Sequence, residues 1–197
     1  WPLLRELPFR DIADPEFTPP FIIVSLDDRE PFQTASEVYL NAKIDLFEFG
    51  IKILRRLSEK VFINTSADNT FVLQKLNGYV THTCSGVYPS GDPGVLLYHI
   101  KKTQAENKAW YVNGQDVLLL AELFKTGKYP IERTVVLGGN MVNEKKHILT
   151  RAGVPLDHLI QGHTDYTTGA RYIVGGIFRG YIGTKDTYMG FYETSLV

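Results

Sequence analysis

The sequence predicts an α/β protein: an open parallel sheet followed by a smaller α+β module. Three observations carry this. The continuous apolar run "FIIVSL" at 21–26 and the strand-like stretches "VFINT" at 61–65 and "YVTHTC" at 79–84 alternate with segments of helical periodicity. Strand, helix, strand, helix, strand is the pattern of a parallel sheet, because parallel strands need long crossovers. Beyond Tyr129-Pro130 the apolar runs become glycine-broken, as in "TVVLGG" and "RYIVGG". That change places a second module at 131–197 after a first at 1–130.

The opening "WPLLRELPFRDIADPEFTPP" is proline-rich and aperiodic and reads as an extended lead-in. "FIIVSL" follows, bounded by prolines and by Asp27 and Asp28, as expected of a strand covered on both faces. Thr34 and Glu37, three apart, form a capping box for a helix in which Ile44, Phe47, Ile51 and Leu54 recur at helical spacing. Arg55 and Arg56 sit at its end, where the dipole favours cations. After "VFINT", the stretch "SADNTFVLQKLNG" is a short helix stopped by Asn77-Gly78, and "YVTHTC" is a third strand. "VLLYHI" at 95–100 reads as one more strand or a hairpin arm. Asn113 then caps a helix, "GQDVLLLAELFKTG", with Val117, Leu120, Ala121 and Phe124 as its buried stripe and Gly127 as its stop. In the second module "ERTVVLGG" and "KHILTRAG" are strands, "VPLDHLI" is a turn or two of helix, and "RYIVGGIFRGY" is a glycine-broken strand. The chain lacks an initiator Met and stops at "FYETSLV" in what reads as mid-strand, so a longer polypeptide is expected.

Composition narrows the function. The 197 residues are 44% hydrophobic, enough for a packed core, and carry a formal net charge of −1. Lysines and arginines are scattered, with none of the concentrated patches a nucleic acid requires. Cys84 is the single cysteine, which excludes an internal disulfide and any iron–sulfur cluster held by this stretch alone. No apolar run approaches the ~20 residues needed to span a bilayer.

The glycine-rich stretch "SGVYPSGDPG" at 85–94 raises the question of a phosphate cradle. Such cradles aim successive backbone N–H groups at an anion, usually where a helix begins. Pro89 and Pro93 have no N–H to give, Asp92 adds a negative charge, and the following run reads as a strand, so the loop is a poor cradle. Neither G-x-G-x-x-G nor a P-loop occurs; "TGK" at 126–128 ends a helix instead of opening one. Asp27 and Asp28 could hold magnesium but read more simply as turn and cap residues. His82 and Cys84 share one strand face, compatible with a thiolate–imidazole nucleophile, though a buried strand cysteine is the simpler reading. His163, Asp165 and Tyr166 in "GHTDYTTGARY" would line a polar pocket or form Asx turns. Gly175 and Gly176 mark a close backbone approach or a bulge.

Several stretches resemble the A subunits of bacterial sodium-translocating NADH:quinone reductases. "SGVYPSGDPGVLLYHI" is similar to that family's G-x-H-P-x-G-x-P-G segment leading into a His-bearing strand: Gly86, Pro89, Gly91, Pro93, Gly94 and His99 match, while Tyr88 replaces the usual His. "AWYVNGQDVLLLAELFKTGKY" and "WPLLRELPF" resemble its aromatic-led helix and its arginine-bearing lead into the middle domain. The resemblance implies a Rossmann-like domain followed by a β-grasp module of the soluble-ligand-binding (SLBB) type, related to the flavin- and NADH-binding subunit of respiratory complex I. That relative's G-x-G-G-x-x-x-x-G loop is missing, so the resemblance implies a fold kept without its cofactor. It further implies a peripheral component on the cytoplasmic face of the inner membrane, in a complex that uses NADH, flavins, an iron–sulfur centre, ubiquinone and sodium ions. Neighbouring subunits would be its partners. The resemblance implies that the loop from Gly86 to Gly94 shapes a domain contact, its prolines stiffening it and its glycines allowing its turns; if a quinone head group were met here, His82, His99 and this loop would meet it. The rival readings are a flavin- or NADH-binding electron-transport module and a freestanding soluble ligand-binding protein.

Overall fold

The computed structural model describes residues 1–27, 29–164 and 169–197. They form two compact units, one of residues 1–29 and 39–130, the other of 30–38 and 131–197.

In the first unit the lead-in is not merely extended. It folds back as a short hairpin, β1 (Arg5–Glu6) with β2 (Asp11–Ile12), on the edge of the sheet. β3 (Ile22–Ser25) is buried at every position, which its apolar run foretold. The expected single helix divides into α1 (Ser36–Leu40) and α2 (Ile44–Leu57), parted where Ala42 takes a left-handed φ of 58°. No capping box forms: Thr34, which with residues 30–38 belongs to the second unit, donates from its hydroxyl to the carbonyls of Thr134 and Thr194 in that unit. α2 buries Phe47, Ile51 and Leu54, the stripe its periodicity defines. β4 (Val61–Ser66) follows, then α3 (Thr70–Lys75), capped by the Asn69 side chain, and β5 (His82–Cys84).

Two expectations fail next. "VLLYHI" is not a strand but most of α4 (Pro93–Ile100). Asp92 caps it and Pro93 stands in its first turn, where a missing N–H and a fixed φ do no harm. After a short 3₁₀ turn over Gln104–Lys108 comes a strand the sequence reading absorbed into a helix, β6 (Trp110–Asn113). α5 (Gly114–Thr126) starts directly from it and ends at Gly127 in the left-handed conformation. Its buried side includes Val117, Leu118, Leu119 and Ala121, whereas Phe124, expected inside, is 64% exposed.

The sheet order is β2-β1-β6-β3-β4-β5, with β6, β3, β4 and β5 mutually parallel and the hairpin antiparallel at one edge. It is therefore mixed and not purely parallel. Both faces of its centre are covered. Ile22 and Val24 join Phe47, Ile51, Leu54, Trp110 and Val117 on one side, while Ile23 joins Leu7, Leu97 and Tyr111 on the other. This is why β3 reads as an unbroken apolar run instead of an alternating one.

The second unit contains β7 (Glu132–Leu137), β8 (Lys146–Arg151), α6 (Leu156–Ile160), β9 (Tyr172–Val174), β10 (Tyr181–Gly183) and β11 (Ser195–Leu196). Their order is β10-β9-β11-β7-β8, antiparallel except for the β11–β7 pair. The run "RYIVGGIFRGY" is two antiparallel strands and not one, because Gly175 and Gly176 (φ 93° and 119°) turn the chain away. Val135, Leu137, Leu156, Leu159, Val174, Met189 and Leu196 form its core. Among the described residues no helix is long and apolar enough to cross a membrane.

Candidate functional site

Open α/β sheets take ligands outside the carboxyl ends of their strands, where the strand order reverses. Here the chain builds outward from β3 through β4 to β5 and then adds β6 on the other side of β3, so the reversal lies between β3 and β6. That crevice is closed by packing. A Cβ on Gly114 would come within 2.4 Å of both Leu26 Cδ2 and the Tyr39 hydroxyl, so a larger residue where α5 leaves β6 would have to push these side chains aside.

The neighbouring carboxyl ends are tied together by one cation. Arg29, itself at a left-handed φ of 64°, donates from Nη1 to Ser66 Oγ (2.7 Å) and to the Asp68 carboxylate (2.9 and 3.1 Å). Its Nε donates to the Gly86 carbonyl at 3.0 Å. The loops after β3, β4 and β5 thus meet on a single guanidinium. Asp68 is held below the usual carboxylate range by the Ser66 hydroxyl first and Arg29 second. Asp27 accepts from the Arg29 backbone N–H at 3.0 Å, a turn role; Asp28 lies outside the described residues.

The loop at 85–94 is organised by Asp92. One of its oxygens accepts from the Gly94 N–H at 2.7 Å, and the other pairs with the Arg10 guanidinium from the β1–β2 turn. The N-terminus of α4, the place where a phosphate would be received, is occupied by this carboxylate. The Asn64 side-chain amide donates to the Gly91 carbonyl at 3.4 Å, anchoring the loop to β4. Gly91 and Pro93 are buried; Gly86, at φ 101°, and Pro89 are exposed.

The two histidines keep separate company. His82, on β5, sets its ring edge to Phe62 at 5.1 Å and its Nδ1 2.9 Å from the Thr81 hydroxyl, and burial lowers its pKa. His99 is exposed on α4 beside Tyr98. Cys84 donates to the Thr65 carbonyl at 3.5 Å, and burial pushes its thiol up, which works against a thiolate nucleophile. Among the described residues no three metal-ligating side chains cluster. His163 contributes its backbone, accepting from the Asn143 N–H at 2.9 Å, while Asp165 and Tyr166 lie outside the described residues. Gly176 is a close approach: a Cβ there would meet Glu30 Oε1 at 2.5 Å.

Sequence reasoning missed Arg10, Arg29 and Asn64. Arg10 and its partner are 82 residues apart, and "DDRE" carries no sign that its arginine spans three loops.

Comparison with known proteins bears on these features. Residues 1–129 match the family described as the NqrA second alpha/beta domain. The A subunit of the Na(+)-translocating NADH-quinone reductase of Cellvibrio japonicus is 32% identical over 199 residues, and that of Pseudomonas aeruginosa 30% over 197, each covering the whole chain. The chain spans only 44% of the length of these relatives. Among solved structures, the NAD+-reducing [NiFe]-hydrogenase in its H2-reduced state aligns with a TM-score of 0.61 at 14% identity, covering 88% of this chain and 40% of that one. Its air-oxidized form gives 0.59. At that identity the likeness concerns the α/β fold alone. The family match over most of the chain, with relatives aligned across all of it, makes this chain a member of the NqrA family, corresponding to the central part of its longer relatives.

Proposed function

We propose that this chain is a cofactor-free scaffold module of a sodium-translocating NADH:quinone reductase, with a Rossmann-like first unit and a β-grasp (SLBB-type) second unit. It holds neighbouring subunits of the complex together as a peripheral component at the cytoplasmic face of the inner membrane. The observation that carries the reading is Arg29. Its guanidinium spans the loops at the carboxyl ends of β3, β4 and β5 and takes its counter-charge from Asp68 of the same chain. A dinucleotide lodged there would have to displace that network. The Asp92 carboxylate stands at the start of α4 in the same way, repelling phosphate where a helix dipole would attract it.

Quinone access is a second role, favoured by the apolar exposure around the loop: Val87 is 83% and Tyr98 71% exposed, with His99 alongside. Apolar walls with one polar contact are what a quinone carbonyl needs.

The test uses the tagged full-length protein carrying this sequence, purified from detergent-solubilised membranes. Recovery together with membrane-embedded flavoprotein and iron–sulfur subunits is the expected result, and this subunit, once separated from them and dialysed, is expected to retain no flavin or NADH. Recovery alone from the soluble fraction would remove the scaffold role. Retained yellow chromophore on the isolated protein would restore the flavin-binding alternative.

A further inference from the structure

A cavity of about 390 Å³ opens in the second unit between the segment leaving β7 and the segment leading into β9. Gly138 and Gly139 line one flank, Arg171 and Tyr172 the other, and Leu196 and Val197 close one end. That end is the line of β11. Val197 and Ile173 exchange both backbone hydrogen bonds, at 2.7 and 2.9 Å, and Leu196 stands opposite Val174. On the other side the Gly138 N–H donates to the Leu196 carbonyl at 2.9 Å. Gly139 then turns β7's chain aside at φ 106°. Two flanks that border the same strand stand two strand spacings apart, about 9.5 Å, which leaves the width of one extended chain between them.

We propose that this cavity is a strand slot, and that its occupant is the polypeptide following position 197 in full-length members of the family. The chain matches the central part of relatives of which it spans 44%, so those relatives have polypeptide to place there. The observed register dictates the pairing. The first residue beyond 197 faces Tyr172 as a non-hydrogen-bonded pair and sends its N–H to the Gly138 carbonyl. The second faces Arg171 and exchanges both backbone bonds with it, because hydrogen-bonded and non-bonded pairs alternate along an antiparallel ladder. β11 thereby lengthens in the middle of the sheet, and the backbone groups of both flanks gain partners. The inference is independent of whether the first unit binds a cofactor.

Hydrogen exchange on the unmodified full-length protein tests it. The Arg171 amide is expected to exchange at least about 100-fold more slowly than an unstructured peptide amide, as strand-core amides do. A cross-link tests the register: Tyr172→Cys is combined with a cysteine at the position following 197, in a full-length background in which Cys84 and every other native cysteine are replaced by serine. Non-bonded antiparallel pairs bring Cβ atoms to about 4.5–5.5 Å, close enough for a disulfide after small adjustment. Protection at Arg171 and an intrachain cross-link on mild oxidation are the expected results. An Arg171 amide exchanging at the peptide rate, or a pair that stays reduced, would overturn the slot and leave the cavity open to solvent or a small molecule.

Discussion

Asp92 does two jobs that a substitution can separate. Its carboxylate caps α4 through the Gly94 N–H and neutralises Arg10 across the loop. Asp92→Ala removes both and is expected to lower stability by about 2 kcal/mol, at the upper end of N-cap losses. Asp92→Asn keeps an acceptor for the cap and gives up only the ion pair, so it should fall between the parent and the alanine variant. Urea midpoints at constant slope are the measurement; Asn and Ala variants that unfold together would show that the cap contributes nothing. His82 makes a pH prediction. Burial lowers its pKa in the folded state, so the unfolded chain binds the proton more readily. Stability attributable to His82 is therefore intact above the ordinary histidine value of about 6.5 and declines as pH falls from there toward the lower folded value. His82→Gln should flatten that part of the stability profile between about pH 7 and pH 5. An unchanged profile in the variant would assign the acid sensitivity elsewhere.

At the level of elements, the contact between α2 and α5 turns on Gly50. A Cβ there would lie 2.5 Å from Val117 Cγ1 and 2.8 Å from the Val117 carbonyl oxygen. Alanine at this position gains helix propensity of about 1 kcal/mol but must push the two helices apart, at a cost of about 1–3 kcal/mol. With backbone as well as side chain in the way, the higher figure applies, and Gly50→Ala is expected to lower the melting temperature. A raised melting temperature would mean that the helices separate at no cost. The same elements show what the sequence made legible. β3 was readable because burial on both faces writes a continuous apolar run, β4 because Val61, Phe62 and Ile63 open it, and the stripe of α2 because one face alone is buried. α4 was misread because its apolar residues run consecutively: they include exposed Tyr98 beside buried Leu97, so they form neither a stripe nor an alternation. The Asp-Pro start signal was present and was outweighed by that run. β6 was missed because no turn residue separates it from α5; Asn113 ends the strand and begins the helix. At the candidate site, the loop at 85–94 and the charge of Asp92 were visible. The arginines that organise the surroundings were not, since long-range ion pairs leave no local pattern.

On the scale of the whole molecule, the chain does not divide where its sequence does. Residues 30–38 lie inside the stretch matched by the NqrA second-domain family, yet they belong to the unit formed with 131–197. Three side chains hold them there. Thr34 donates to the Thr134 and Thr194 carbonyls, Gln33 to the Gly175 carbonyl, and Glu30, with its side chain fully buried, accepts from the Phe178 N–H at 2.7 Å and pairs with Arg179 at 3.5 Å. Removing one partner of a buried pair costs about 3–5 kcal/mol, because the charge left behind has lost its compensation. Arg179 keeps part of its surface in water, so about 3 kcal/mol is the expected loss for Glu30→Ala. Glu30→Gln should lose less, since an amide oxygen can still accept from Phe178. The loss should be confined to one unit. Amides of β7 and of the turn at 175–180 should exchange faster in Glu30→Ala, while those of β3 and β4 keep their parental rates. Equal acceleration in both sets would mean that the two units unfold together. Acceleration in β3 and β4 alone would place residues 30–38 with the first unit, and the division of the fold would have to be redrawn at the sequence boundary.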